Sequence, residues 1–150
     1  MKIFIGGIMQ GSRRDSGVDD QGYRERIAAC LRAHVPNVDV LDPWELYPDS
    51  PTYGYERGKQ VYLSLNEEAA KADVLVAYVP EASMGTAIEI WQAYRAGACI
   101  LTISPLSENW VVKFLSNRVF ATLDEFIQFV ENGEFKAMAA QFKAEGKESA

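Results

Sequence analysis

One carboxylate in this chain is placed where a reaction could use it. Glu89 lies at the start of a stretch, AIEIWQAYRAG, that has helical periodicity and a glycine stop, after an apolar run, DVLVAYV, and a turn, PEASMGT. The apolar run, bounded by charge and then by Pro80, fits a central parallel strand. Ligands of open α/β sheets bind at the carboxyl ends of the strands, so this turn is expected to line the crevice. A helix opening at Thr86 puts Glu89 in its first turn, among unpaired amides at the positive end of the helix dipole. A carboxylate there can attack an electrophilic carbon or steady a developing positive charge. The same pair also fits a capping box, in which Thr86 and Glu89 only close the helix end.

The segment ADVLVAYVPEASMGTAIEIWQAYRAG (residues 72–97) resembles the signature of the nucleoside 2-deoxyribosyltransferase superfamily. There a hydrophobic strand ends in a loop bearing Ser or Asp, followed by Gly-Thr and, three residues on, a nucleophilic Glu. The likeness extends more loosely from residue 1 to about 130. It takes in the opening strand and loop IFIGGIMQGSRRD (residues 3–15), similar to the GGxxR or GSxRGG loops of that group's nucleotide N-hydrolases. The resemblance implies that Glu89 is the catalytic nucleophile, attacking the anomeric carbon and releasing the base. N-glycosidic cleavage passes through an oxocarbenium-like sugar, and a carboxylate beneath the ring can stabilise that charge or trap it as a glycosyl ester. The sugar then passes to water or to a second base, and the residues leave both acceptors open.

Ser83 stands six residues before Glu89. Transferases of the superfamily usually carry Asp there to bind the sugar 5'-hydroxyl, whereas members that hydrolyse nucleoside 5'-monophosphates usually carry Ser. The resemblance therefore implies a 5'-monophosphate. The loop GSRRD offers Ser12, Arg13 and Arg14 after Gly7, and arginine forks with free amides suit phosphate oxygens. Arg13 and Arg14 equally fit a solvated basic turn, and Ser83 an ordinary turn residue.

The chain departs from the family pattern at one point. A second acid is usual on the preceding helix, eight residues before the Asp that opens the strand, and counting back from Asp73 reaches Leu65. Asp73 cannot replace it, because a six-residue strand leaves it roughly 20 Å from the carboxyl edge. It is expected to be structural, at the bottom of the sheet. The preceding helix runs antiparallel to the strand, so its beginning approaches the site. Glu56, Arg57, Tyr62 and Asn66 are the expected contacts to sugar or base.

Positioning these residues requires alternating strands and helices. KIFIGGI, VDVLD, VLVAYV, ACILTIS and RVFA read as strands. GYRERIAACLRAHV, residues 59–71, the stretch from Thr86, a short piece near WVVKFLSN and LDEFIQFVENG read as helices. The expected fold is α/β: a single-domain Rossmann-like (flavodoxin-like), doubly wound, mostly parallel five-stranded sheet over residues 1–135. Residues 136–150 are expected as a polar helix fraying into a disordered tail. Strand ends then deliver Gly7, Asp42, Trp44, Ser83, Gly85, Thr86 and Asn109 to one rim as substrate contacts. Trp44, Tyr47, Tyr53 and Tyr55 belong to a long loop, PWELYPDSPTYGYERG, and can stack on a base or pack the loop down. His34, at the far end of the first helix, is expected to serve its C-terminus.

Composition bounds the rest. At 150 residues and 48% hydrophobic content the chain can bury one core. A net charge of -6 argues against binding a nucleic-acid polymer. No signal peptide and no apolar run near membrane length is seen, so a cytoplasmic protein with no membrane partner is expected. Cys30 and Cys99 read as buried free thiols without metal-ligand spacing, and no metal or cofactor is called for. The partner is a small nucleoside or nucleotide, and the resemblance implies a homodimer or higher homo-oligomer whose site a neighbouring subunit helps complete. Gly6, Gly7 and Gly11 lack the G-x-G-x-x-G spacing of dinucleotide folds. Two alternatives stay open: a phosphoribohydrolase of the cytokinin-releasing type, whose PGGxGTxxE motif PEASMGTAIE matches without the double glycine, and a nucleotide sensor without turnover.

Overall fold

The structure, a computed structural model, describes residues 1–148, with side chains through residue 145. Five strands, β1 (Lys2–Gly7), β2 (Asp39–Leu41), β3 (Val74–Tyr78), β4 (Cys99–Ile103) and β5 (Arg118–Phe120), form one sheet in the order β2-β1-β3-β4-β5. Every pairing is parallel. That is the flavodoxin-like order, and its switch point, where successive crossovers leave for opposite faces, lies between β1 and β3.

Apolar residues on both sides of the central strands explain the two layers. One face packs Ile3, Ile5, Val74, Val76 and Leu101 against Tyr23, Ile27 and Leu31 of α1 (Gly22–His34) and Phe126, Phe129 and Val130 of α6 (Leu123–Glu131). The other packs Phe4, Leu75, Ala77 and Ile100 against Ala69 of α3 (Tyr55–Ala70) and Ile90 and Ala93 of α4 (Met84–Arg95). Val111 and Leu115 of α5 (Trp110–Leu115) border that second cluster.

Several expectations shift. The long loop after β2 is broken by a turn of helix, α2 (Pro43–Leu46), and a 3-10 turn at Ser50–Thr52. α3 begins at Tyr55 rather than residue 59, because Gly54 supplies the first carbonyl, taken by the Gly58 amide at 2.8 Å. α4 begins at Met84, two residues before Thr86, because Ser83 caps it. The final helix, α7 (Glu134–Glu148), is not polar throughout: Phe135 is buried, and Met138, Ala139 and Phe142 pack against the first core. Where the segment 136–150 is expected to fray into a disordered tail, the helix continues to Glu148, and residues 149–150 lie outside the described residues. Asp73 is structural as expected, accepting the Lys2 amide at 2.7 Å at the amino end of the sheet.

Candidate active site

Two consecutive glycines at the end of β1 admit two different neighbours, because side-chain positions alternate between faces of a strand. A Cβ on Gly6 would lie 2.7 Å from Oε2 of Glu89, and one on Gly7 would lie 2.3 Å from the Tyr23 hydroxyl. Gly6 therefore leaves room for the carboxylate on the α4 face and Gly7 for the phenol on the α1 face. Gly7, expected as a substrate contact, instead has its side-chain face filled by Tyr23. The Tyr23 hydroxyl donates to the Ile8 carbonyl at 3.0 Å, and its ring stacks on Tyr78 with centroids 4.2 Å apart.

Glu89 sits at the switch point, on the helix that follows β3 and against the last turn of β1. The residue keeps some solvent contact, but its Oε2 is buried and has no hydrogen-bond partner. Burial pushes its carboxyl up to about 7, against the opposing pull of the Arg24 charge and a hydrogen bond from the Gly7 backbone. The capping-box alternative is overturned. Ser83 is the N-cap, its hydroxyl accepting the Thr86 amide at 3.3 Å and bonding the Thr86 hydroxyl at 2.9 Å. Glu89 is accordingly in the second turn of α4, past the amides and dipole end expected to stabilise its charge.

Arg24 is the site residue that sequence reasoning missed. Its side chain is 2% exposed, and every donor group has a partner: Nε to Gln21 Oε1 at 2.7 Å, Nη1 to the Ile5 carbonyl at 2.9 Å and Asp42 Oδ1 at 3.2 Å, Nη2 to the Gly7 carbonyl at 3.0 Å. The Asp39 amide bonds the Met1 carbonyl and the Asp73 amide that of Lys2, so odd-numbered β1 carbonyls face β2. β2 ends at Leu41, opposite Phe4, and Arg24 takes up the carbonyls left beyond it. The available signal was an arginine on the stripe Arg24, Ile27, Ala28 and Leu31, where spacing predicts core.

Asp42 is buried and accepts from both Arg24 and the Trp44 amide, the latter at 3.0 Å, which makes it the cap of α2 rather than a free ligand group. Trp44 lines a cleft of about 740 Å³ between α1 and α2 with Asp19, Glu25 and Arg32. Arg13 turns to the acids of its own loop, Asp19 at 3.0 Å and Asp15 at 3.6 Å.

Ser12, Ser83 and Asn109 do come together. They line a cleft of about 400 Å³ with Gly11, Ala87, Ile90 and Leu106, a size suited to a small molecule. Asn109 also caps α5, accepting the Val111 amide at 3.1 Å. Ala87 and Ile90, four and seven residues after Ser83, share its stripe of α4, whereas Glu89 turns toward β1 and does not line this cleft. Gly85 faces open space, with nothing within 4 Å of where a Cβ would stand. Thr86 is buried, its methyl directed at Gly6.

On α3, Tyr62 is exposed and Asn66 buried. The Asn66 amide donates to the Tyr62 carbonyl at 2.9 Å and leaves its buried Oδ1 without a partner. Leu65, where a second acid is usual, packs against the core shared with α4. Glu56 and Arg57 lie exposed in the first turn of α3. An apolar groove of about 560 Å³ lined by Val35, Ala72, Cys99 and Phe142 opens at the amino ends of the strands, remote from Glu89. Among the described residues no group of three or more His, Cys, Asp or Glu could hold a metal ion, and no helix is long and apolar enough to cross a membrane.

By sequence the chain matches no family model and no curated protein. By structure it is similar to a 2-deoxyribosyltransferase from Bacillus psychrosaccharolyticus, with TM-score 0.62 and 18% identity over 85% of this chain and 90% of that one. It is also similar to a conserved protein from Enterococcus faecalis V583, with TM-score 0.65 and 19% identity over 87% and 97%. A third likeness is to the CMP N-glycosidase of Clostridium botulinum, with TM-score 0.50 and 17% identity over 87% and 99%. The chain thus shares its fold with a 2-deoxyribosyltransferase and a CMP N-glycosidase, the fold that the resemblance of residues 72–97 implied.

Proposed function

We propose that the protein cleaves the N-glycosidic bond of a nucleoside or nucleotide, with Glu89 as the nucleophile. The observation that carries this is the Glu89 carboxylate itself: at the β1/β3 switch point, pressed against Gly6, with a buried oxygen that nothing in the protein satisfies. Structural carboxylates in such positions are paired; an unpaired one is poised for a partner that arrives with the substrate. One Glu89 oxygen bonds to C1' as the C1'–N bond breaks. The electron pair leaves with the base, which takes a proton from another donor, and water or a second base then displaces Glu89 from C1'.

The cleft beside Ser83 is the proposed seat of the 5'-substituent. Ser12 and Ser83 hydroxyls line it, and the Met84 and Gly85 amides of the first helical turn have no intrahelical acceptor. Arg13 is committed to Asp19, and a Glu81 oxygen lies 2.5 Å from where a Gly11 Cβ would stand. A 5'-phosphate would therefore be held by hydroxyls and amides more than by arginine. Exposed Met84, Ile88, Trp91, Tyr94, Trp110 and Phe114 on α4 and α5 offer an apolar surface for the homo-oligomer, which sedimentation would detect.

The test is chromatography of reactions with a panel of nucleosides and 5'-monophosphates, with and without an acceptor base, for the wild type and Glu89→Gln. Base release by the wild type alone is expected, and exchange of bases would identify transfer. Retention of turnover by Glu89→Gln within tenfold would overturn the nucleophile. The packing of Leu65 favours a second reading, nucleotide binding without turnover, since position 65 cannot deliver a proton to the base. Binding without product across the panel would select it.

A further inference from the structure

On one side the peptide units that support Glu89 pair with β3, and on the other they are held by one buried side chain. Gly6 and Gly7 end β1 beyond the reach of β2, and neither carries a side chain to restrict its backbone. On that open side the Arg24 fork donates to the Ile5 carbonyl at 2.9 Å and the Gly7 carbonyl at 3.0 Å, bracketing Gly6. Gly6 is the surface on which the Glu89 carboxylate rests, and the Gly7 backbone beside it favours the charged form of that carboxyl. Asp42 anchors the fork from the far side at 3.2 Å.

We propose that Arg24 is a positioning residue for Glu89: it fixes the Gly6-Gly7 backbone that receives the carboxylate. Its charge also draws the Glu89 carboxyl down against the rise that burial imposes. This rests on Glu89 being the reacting group. The other ionisable neighbours do not compete for the role. Tyr23 on α1 has its hydroxyl pushed above its ordinary range by burial, and so stays neutral. Tyr78 on β3 stacks on it, Asp42 is paired with Arg24 itself, and the buried residues that α3 presents are Asn66 and Ala69, neither ionisable.

The experiment combines a ¹³C titration of the Glu89 carboxyl, kcat and KM for base release from the best substrate of the panel, and thermal melting. In Arg24→Met the Glu89 midpoint should rise by about one pH unit, and kcat below the midpoint should fall about tenfold with KM little changed. Arg24→Lys should return the midpoint toward that of the wild type yet leave kcat depressed, because an ammonium cannot hold both carbonyls as the planar fork does. If Arg24→Met fails to fold with Asp42 left unpaired, Arg24→Met/Asp42→Asn removes both charges while keeping a capping side chain, and the same shifts are expected there. A folded variant lacking Arg24 whose Glu89 midpoint and kcat stay within twofold of wild type, losing only melting temperature, overturns the proposal. Should Glu89→Gln retain turnover, the nucleophile is lost but the titration still decides whether Arg24 governs Glu89.

Discussion

Asp42 and Glu89 are two acids at the same rim of the sheet, both within the field of Arg24, and they end in opposite conditions. Asp42 receives the Arg24 fork and the Trp44 amide. Glu89 has a buried oxygen with no partner, and its carboxyl is pushed up to about 7. Both carboxylates give up water, and only one is compensated by the fold. A satisfied acid holds structure; an unsatisfied one stores a cost that a substrate can relieve.

The largest expected effect comes from removing the unsatisfied charge. Glu89→Gln should lower base release by about a thousandfold or more, since the neutral amide neither attacks nor stabilises the sugar cation. The same change should raise stability at pH 8. A carboxyl whose midpoint is raised by folding contributes stability below its unfolded value of 4.5, and that contribution is lost as pH rises through about 7. A gain of about 1 kcal/mol at pH 8, absent at pH 4, is expected in melting experiments. Activity of the wild type should correspondingly climb with pH through about 7 as Glu89 ionises.

Breaking the satisfied pair should show the reverse signature. Asp42→Ala leaves Arg24 buried and unpaired and uncaps α2, and should cost about 3 kcal/mol or more in denaturant unfolding. Gly6→Ala sharpens the contrast from the strand side, since its methyl would stand 2.7 Å from the Glu89 oxygen. It should lower kcat about tenfold by displacing the carboxylate, while Gly85→Ala, facing open space, leaves the fold as stable or slightly more so. The smallest stability change is expected of Ser83→Asp, because Asp caps a helix as well as Ser does, within about 0.5 kcal/mol. Its effect should fall instead on the preference for monophosphate over nucleoside, which like-charge repulsion would erase. An unaltered preference would remove the phosphate from the Ser83 cleft.

What was legible followed from short spans of chain. Apolar runs of five or six residues alternating with amphipathic stretches determine strands and helices locally, and parallel order with right-handed crossovers follows from that alternation. Glu89 was legible because a strand, a turn and a helix start are contiguous. Which hydroxyl caps α4 was not: Ser83 and Thr86 both lie shortly before Glu89, and the extended backbone of Ser83, whose hydroxyl accepts the Thr86 amide, makes Ser83 the cap. Position 65 shows the same limit, since a count along the sequence cannot tell which side of α3 meets α4, and Leu65 turned out to belong to that contact. Leu65→Asp would bury a charge there rather than supply an acid.

By itself, then, the sequence determined the order of elements and the placing of Glu89 on the helix just past the carboxyl end of β3, because each is written in neighbours within about ten residues. Only the tertiary structure decided that Arg24 leaves the surface for the end of β1, that Asp42 is spent on it, and that Gly6 rather than Gly7 receives Glu89. Those outcomes join residues 17 positions apart or more in sequence, Arg24 with Gly7, Arg24 with Asp42 and Gly6 with Glu89. They turn on which strand stops first, a fact of register that no local pattern carries.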